Sequence, residues 1–210
     1  SKSQICVLSL WEQKQKIMQT DYLTFLESKK SRIAESGFSV EDADMNGHLF
    51  EYQRFIVKNA LRVGKYAIFA DCGLGKTLMM LDFARHCQKM MPSKRILIIS
   101  PLMVVDQTAA EYTRFYGGGI DVISSSTLDK WNKSRSGKIG ITNYEALKGD
   151  VEKGNLGAMI LDESSLLKSH YGKYGQECIR LGAGLEYKLA LTGTPVENHL
   201  GELWAILDAV

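Results

Sequence analysis

The residues that first suggest a chemical role form a glycine-rich loop, Ala70–Thr77, with the sequence ADCGLGKT. Successive backbone N–H groups of such a loop can point at one ligand, and they bind phosphates well where a helix begins directly after the loop. Gly73 and Gly75 allow close approach because neither carries a side chain. Lys76 is expected to reach the β- and γ-phosphates, and the Thr77 hydroxyl to coordinate Mg²⁺. The loop therefore predicts a site for ATP or ADP with Mg²⁺.

This loop departs from the usual pattern GxxxxGK[ST] at its first position, where Ala70 replaces glycine. Alanine is small and stands at the end of a predicted strand, so the change need not disrupt the loop. The simpler alternative is a Gly-Lys turn that begins an ordinary helix. We favour phosphate binding because the strand–loop–helix context is present. The predicted nucleotide contacts here are Gly73, Leu74, Gly75, Lys76, Thr77 and Leu78.

A second candidate element is the apolar run Ala158–Leu161, which ends in the carboxylates Asp162 and Glu163. Carboxylates at the carboxyl end of a parallel strand face the ligand side of a sheet. Asp162 could hold Mg²⁺ through water, and Glu163 could orient or deprotonate an attacking water. The alternative is that both acids merely begin the next helix. Together with the phosphate loop, the pair predicts hydrolysis, with Lys76, Asp162 and Glu163 as the catalytic residues.

The third element is Leu189–Pro195, with the sequence LALTGTP, in which a strand delivers two hydroxyl residues around a glycine turn. Taken alone, it is a strand and a turn. The order GLGKT, ILDESS and LTGTP resembles the ATP-binding core of superfamily-two helicases, and Leu191–Val210 is closest to the Swi/Snf-type branch. The resemblance runs from about Leu49 to the end of the chain. It implies a RecA-like P-loop NTPase.

The resemblance also implies roles for residues outside these motifs. Gln53 is similar to the glutamine that reads the adenine edge, as an amide with a donor and an acceptor can do. The segment Thr192, Gly193 and Thr194 would couple the nucleotide site to the nucleic-acid face. Two further segments resemble those that hold a nucleic-acid backbone without reading its sequence. These predicted nucleic-acid contacts are Pro101, Leu102, Thr142, Asn143 and Tyr144.

Two positions depart from the pattern of this branch. Ser164 and Ser165 replace the commoner Ala-His after Asp-Glu, and Gln107 stands where the branch often has tryptophan. Without the histidine, Ser164 or Ser165 would have to transmit the nucleotide state. Asp162 and Glu163 themselves match the pattern.

The elements that must position these residues alternate along the chain after about Tyr66. Short apolar runs read as buried strands and amphipathic stretches as helices, which indicates an α/β three-layer sandwich, a mainly parallel sheet with helices on both faces. Thr77–Met91 has apolar residues at helical spacing, and Pro92 ends it. The predicted strands are Tyr66–Ala70, Ile96–Ser100, Ile120–Ile123, Ile139–Thr142, Met159–Asp162 and Lys188–Thr192.

The chain is expected to contain a short, mainly helical N-terminal appendage over residues 1–46 and the ATP-binding domain over residues 47–210. Asp21–Ala34 is the predicted helix of the appendage, and Tyr22–Asn46 looks like the lead-in of phage- and bacterium-borne helicases. Members of the resembled family have a second RecA-like lobe whose arginine completes the active site. No such lobe is recognised in these 210 residues, so we expect it in cis in the full-length protein and expect this chain alone to hydrolyse ATP poorly.

Composition limits the other possibilities. The formal net charge is only +2, so any contact with nucleic acid must be local. The four cysteines lack CxxC spacing and the four histidines lack ligand-like spacing, which disfavours zinc sites and disulfide frameworks. No apolar run approaches the ~20 residues that span a bilayer. We expect a cytoplasmic protein with no membrane partner, and the resemblance to phage- and bacterium-borne helicases implies a bacterial or phage gene.

Three functional hypotheses remain. The leading one is an ATP-driven translocase or helicase on DNA, double-stranded or forked. The second is a non-motor module that uses ATP as a switch for assembling partners. The third is a kinase or small-molecule NTPase, which Gln53 and the LTGTP segment disfavour because neither is needed for phosphate transfer to a metabolite.

Overall fold

The computed structural model describes residues 35–147, 149–167 and 172–195. The predicted helix Asp21–Ala34 and the segment 196–210 lie outside this range. By its internal contacts the chain divides into residues 1–34 and residues 35–210. The described strands are β1 (Lys65–Phe69), β2 (Arg95–Ser100), β3 (Asp121–Val122), β4 (Lys138–Asn143), β5 (Leu156–Leu161) and β6 (Tyr187–Thr192). The described helices are α1 (Glu51–Val63), α2 (Lys76–Met90), α3 (Val105–Tyr116), α4 (Leu128–Lys133) and α5 (Lys173–Gly182).

The six strands form one sheet in the order β1-β6-β5-β2-β4-β3, and every neighbouring pair is parallel. Each predicted strand is present, and its bounds differ from the prediction by at most three residues at either end. Every residue of β2, β5 and β6 is buried, as expected for parallel strands covered on both faces. The predicted parallel α/β fold is confirmed.

Two apolar layers sandwich the sheet, and the alternation along β2 sorts its side chains between them. Ile96 and Ile98 pack into one cluster with residues of α1, α2 and α3. Leu97 and Ile99 pack into the other, with residues of α4 and α5. Side chains of a strand alternate between faces, so an all-apolar strand supplies both layers. The core thus holds the sheet rigidly between two helical layers.

The strand order decides what meets at the carboxyl edge of the sheet. Strand β6 lies between β1 and β5, pairing Phe69 with Thr192 on one side and Leu161 with Ala190 on the other. The loop after β1, the end of β6 and the acids after β5 are therefore adjacent in space. This adjacency is not readable from the sequence order, in which Thr192 comes last.

Residues 35–46, which the sequence assigns to the appendage, pack on the sheet domain. The N–H groups of Gly37 and Phe38 donate to the carbonyls of Arg62 and Leu61, both at 3.0 Å. Met45 is buried in the cluster that contains α1 and α2. A Cβ atom at Gly37 would collide with the Leu61 carbonyl, so the chain can run this close to α1 only with glycine there.

Within the described ranges, no helix combines the length and the apolar character needed to cross a membrane.

The packing of the sheet between two layers predicts which side chains, when shortened to alanine, lower the free energy of unfolding. Ile98, at the centre of β2, is 0% exposed, whereas Val122 on the edge strand β3 is 56% exposed. Ile98→Ala should lower the free energy of unfolding by about 2–5 kcal/mol, because it leaves a cavity between sheet and helices. Val122→Ala should change it by less than about 0.5 kcal/mol. Urea titration measures both, and equal effects of the two variants would contradict this packing.

Candidate functional site

The glycine-rich loop leaves β1 after Phe69 and enters α2 at Lys76. Gly73 and Gly75 have left-handed backbones, with φ of 82° and 74°, that residues with a Cβ rarely adopt. A Cβ atom at Gly75 would also collide with the Gln53 amide. Ala70 is not among the residues with positive φ, so alanine fits the first position of the loop without backbone strain. We call residues 70–77 the phosphate loop.

Lys76 folds back over the phosphate loop. Its Nζ donates to the carbonyls of Ala70 at 2.7 Å and of Asp71 at 3.2 Å. Both of these acceptors are neutral carbonyls, so an anion at the loop would compete for the ammonium group on favourable terms. Lys76 also begins the 15-residue helix α2, whose first N–H groups have no partner within the helix. Charge and helix terminus together suit a phosphate group.

Gln53 fastens α1 to the phosphate loop. Its side chain is 3% exposed, its Oε1 accepts from the Phe50 N–H at 2.9 Å, and its Nε2 donates to the Leu74 carbonyl at 2.9 Å. The Tyr52 hydroxyl donates to the same carbonyl at 3.2 Å. Gln53 thus caps one helix and holds the loop, a contact that the sequence did not reveal. Reading of an adenine edge by Gln53 stays a prediction.

Asp162 lies directly after β5 and is tied to two neighbouring segments. The Ser100 hydroxyl, at the end of β2, donates to Asp162 Oδ2 at 2.6 Å. The buried Tyr144 hydroxyl, just after β4, donates to the Asp162 carbonyl at 2.8 Å. Burial raises the pKa of Asp162; the Ser100 hydrogen bond lowers it, the Glu163 charge raises it and the Lys76 charge lowers it, with a net rise.

Glu163 has an unusual backbone and a doubly bonded side chain. Its φ of 49° is left-handed, which is uncommon for a residue other than glycine. Its Oε1 accepts from the Ser165 hydroxyl and from the Thr192 hydroxyl, both at 2.8 Å. Thr192 in turn accepts the Thr194 N–H at 3.0 Å. The turn after β5 and the end of β6 therefore both donate a hydrogen bond to the same carboxylate oxygen of Glu163.

A cavity of about 520 Å³ lies against the phosphate loop, within the size range of small-molecule sites. Its lining includes Gln53, Lys76, Thr77 and Glu163, so the structure brings together predicted residues from three separate segments. A larger cavity of about 900 Å³ lies along α1 and Ser39–Asp42, and no phosphate-loop residue lines it. The smaller cavity is the candidate site.

Sequence reasoning missed part of this lining. The additional residues come from the segment before α1 and from α3, and they are His48, Phe50, Glu111 and Phe115. The rings of His48 and Phe115 are 5.4 Å apart between centroids. None of these residues belongs to a motif, and only the packing of α3 beside the segment Asn46–Phe50 brings them to the loop.

The oxygen groups at the cavity fit a hard divalent cation such as Mg²⁺. Thr77 lies in the first turn of α2 and lines the cavity, and Asp162, whose Oδ2 accepts from Ser100, lies beside the lining residue Glu163. Mg²⁺ is commonly held by one or two protein oxygens, with water and substrate phosphates completing its shell. In the described part of the chain no three His, Cys, Asp or Glu residues form a metal cluster, so a metal would need those other ligands.

The predicted nucleic-acid contacts also lie at the carboxyl edge, but they differ in exposure. Leu102 is 62% exposed on the turn after Pro101. Thr142 and Tyr144 are buried, and their hydroxyls donate to the carbonyls of Ile123 and Asp162. Asn143 is half-buried and accepts the Ala146 N–H at 2.8 Å. In this conformation the side chains of Thr142 and Tyr144 support the segment, and contact with nucleic acid stays a prediction for Pro101, Leu102 and Asn143.

The sequence of the chain is similar to one family of proteins. The family model described as the SNF2-related domain matches residues 48–210. The chain is 30% identical over 182 residues to the ATP-dependent DNA helicase DDM1 of Arabidopsis thaliana, covering 78% of this chain and 24% of that protein. It is 30% identical over 193 residues to the chromatin-remodeling ATPase INO80 of Arabidopsis thaliana, covering 78% of this chain and 12% of that protein.

Solved structures agree on the fold. The Sulfolobus solfataricus SWI2/SNF2 ATPase core in complex with dsDNA superposes with a TM-score of 0.67 at 24% identity, covering 82% of this chain and 38% of that chain. The UvsW helicase from bacteriophage T4 superposes with a TM-score of 0.58 at 19% identity, covering 75% of this chain and 57% of that chain. The six-stranded sheet is thus the fold of helicase ATPase cores.

The raised pKa of Asp162 predicts a pH-dependent stability. The folded chain binds this proton more tightly than the unfolded chain, so the contribution of Asp162 is present below the usual aspartate pKa of about 4 and is lost as the pH rises through the higher folded pKa. Asp162→Asn, which is uncharged throughout, should therefore be more stable than the wild type at pH 7, with an advantage that shrinks toward pH 4. Urea unfolding at pH 7, 6, 5 and 4 measures it. A destabilised variant at pH 7, or a pH-independent difference, would contradict the assignment.

Proposed function

The chain belongs to the SNF2-related family, and we propose that it is the ATP-binding lobe of a DNA-dependent ATPase that couples ATP hydrolysis to movement on DNA. The chain covers 24% of DDM1 and 12% of INO80, so this activity is proposed for the complete gene product. The observation that carries the proposal is the meeting of Lys76, Glu163 and the phosphate loop at one cavity, with Asp162 beside them.

Nucleotide binding follows from the electrostatics of the loop. The unpaired N–H groups at the start of α2 and the backbone of Gly73 and Gly75 receive the phosphates. Lys76 exchanges its two carbonyl partners for phosphate oxygens, which are charged and therefore stronger acceptors. Thr77 and Asp162 would hold Mg²⁺, which when bound would neutralise charge on the transferring phosphoryl group.

Hydrolysis requires a water in line with the bond that breaks between the γ-phosphorus and the leaving oxygen of ADP. Glu163 lines the cavity and has Oε1 fixed by two hydroxyls, which leaves its second oxygen to orient the water and receive its proton. The Lys76 charge lowers the pKa of Asp162, and a bound cation would lower it further, since opposite charges favour the charged form. Lys76, Asp162 and Glu163 are the proposed catalytic residues.

DNA contact is proposed for the turns after β2 and β4, through Pro101, Leu102 and Asn143. Support comes from the solved relative, an ATPase core in complex with dsDNA. Contacts of this kind hold a backbone without reading its sequence, and the net charge of +2 requires them to be local. We propose double-stranded or forked DNA as the track. The DNA-facing turns are coupled to Glu163 by the segment Thr192, Gly193 and Thr194, through the hydrogen bond that the Thr192 hydroxyl donates.

A second RecA-like lobe in cis is proposed to complete the active site. Among the described residues, the lining of the candidate cavity contains no arginine. An arginine supplied to the transferring phosphate is worth a factor of about 10³–10⁵ in related phosphoryl-transfer enzymes. Residues 1–210 alone are therefore proposed to bind nucleotide and to hydrolyse it slowly.

Binding tests the proposal without depending on turnover. Lys76→Ala should weaken the binding of Mg–ATP to residues 1–210 by at least about a hundredfold, equivalent to about 2.7 kcal/mol, because it removes the charge that faces the phosphates. Isothermal titration calorimetry measures the Kd. Lys89→Ala is the control, since Lys89 is exposed at the far end of the same helix and should leave Kd unchanged. Equal affinity of wild type and Lys76→Ala would reject the phosphate-loop assignment.

A further inference from the structure

Ser165 is the residue at the site whose role the motifs do not supply. It stands in the 3-10 turn Ser164–Leu167 that follows Glu163, and it is 5% exposed. Its hydroxyl donates to Glu163 Oε1 at 2.8 Å. We propose that Ser165 is a positioning residue that fixes the Glu163 carboxylate for ATP hydrolysis, an inference that rests on the function proposed above.

Glu163 is held from both backbone and side chain. Its carbonyl accepts the Leu166 N–H at 3.0 Å, which closes the turn, and its φ of 49° keeps the backbone in the left-handed region. Such a backbone persists only where the surroundings over-determine it, and residues held this way cluster at functional sites. The turn fixes the backbone of Glu163, and the two hydroxyls fix the position of its carboxylate.

The two hydroxyls reach Oε1 from different elements. Ser165 comes from the turn after β5, while Thr192 is 0% exposed at the end of β6. A hydrogen bond from a serine two residues along the chain could be a purely local feature of the turn. The shared acceptor argues otherwise, because the Ser165 and Thr192 bonds together fix one oxygen in two directions. Only the second carboxylate oxygen then remains for a water in the cavity that Glu163 lines.

Ser164 differs from its neighbour in just this respect. It is 0% exposed in the same turn, but its hydroxyl donates to the Leu191 carbonyl at 3.2 Å rather than to Glu163. Ser164 therefore joins the turn to β6 as part of the framework. The chain thus offers a matched pair of buried serines, one bonded to the carboxylate and one bonded to backbone.

The test compares Ser165→Ala with Ser164→Ala in steady-state ATP hydrolysis by the complete gene product with double-stranded DNA. A positioned general base contributes a factor of about 10²–10⁴, so loss of one of two anchors on Glu163 should lower kcat by about tenfold or more. KM for ATP should change less than about threefold, because the carboxylate acts on the water rather than on nucleotide binding. Ser165→Thr, which keeps the hydroxyl, should recover most of the lost kcat.

Each possible outcome of this comparison either supports or overturns the positioning role of Ser165. A fall in kcat confined to Ser165→Ala, with KM preserved and Ser165→Thr active, supports the positioning role. A kcat for Ser165→Ala no lower than that of Ser164→Ala, or a loss that appears in KM alone, overturns it and leaves the proposed function intact. If the wild type hydrolyses ATP no faster than Lys76→Ala does, the proposed function fails, and the role of Ser165 fails with it.

Discussion

Four hydroxyl groups hold the dipeptide Asp162-Glu163, and the rest of the site depends on that constraint. Three donors come from neighbouring segments at the carboxyl edge of the sheet and the fourth from the turn that follows the dipeptide; they are Ser100, Tyr144, Thr192 and Ser165. Two buried or half-buried carboxylates side by side repel each other and are costly to desolvate unless such donors are present. The hydroxyls stabilise both acids in one geometry. Through these hydrogen bonds, the position of each neighbouring segment is linked to the position of the two acids.

The order of the strands makes this arrangement possible. Placing β6 between β1 and β5 puts Thr192 between the phosphate loop and Glu163, where its carbonyl accepts the Ala70 N–H at 3.1 Å while its hydroxyl donates to Glu163. Strand β2 lies on the other side of β5, so Ser100 reaches Asp162. One rigid edge therefore connects the loop that is proposed to hold nucleotide with the turns that are proposed to meet DNA. The apolar layers on both faces supply that rigidity.

The sequence predicts the parts of this account that depend on local pattern. Apolar runs such as Ile96–Ile99 predict buried strands. Lys76 is predicted from the glycine-rich loop, and Asp162 and Glu163 from the end of an apolar strand. What it could not predict depends on contacts between distant segments. Gln53 bonds to Phe50 and Leu74, Tyr144 turns inward to Asp162, and His48 meets Phe115 only through packing. The choice between Ser164 and Ser165 was open until their acceptors were known.

Glu163 is proposed to drive DNA-dependent hydrolysis from this edge of the sheet. The most direct measurement is the ATP turnover of the complete gene product, with and without double-stranded DNA, for the wild type and for Glu163→Gln. We expect that DNA raises wild-type turnover, and that Glu163→Gln still binds ATP but turns it over about 10²–10⁴ times more slowly with DNA present. Turnover by Glu163→Gln at the wild-type rate, or a wild-type rate that does not respond to DNA, would contradict it.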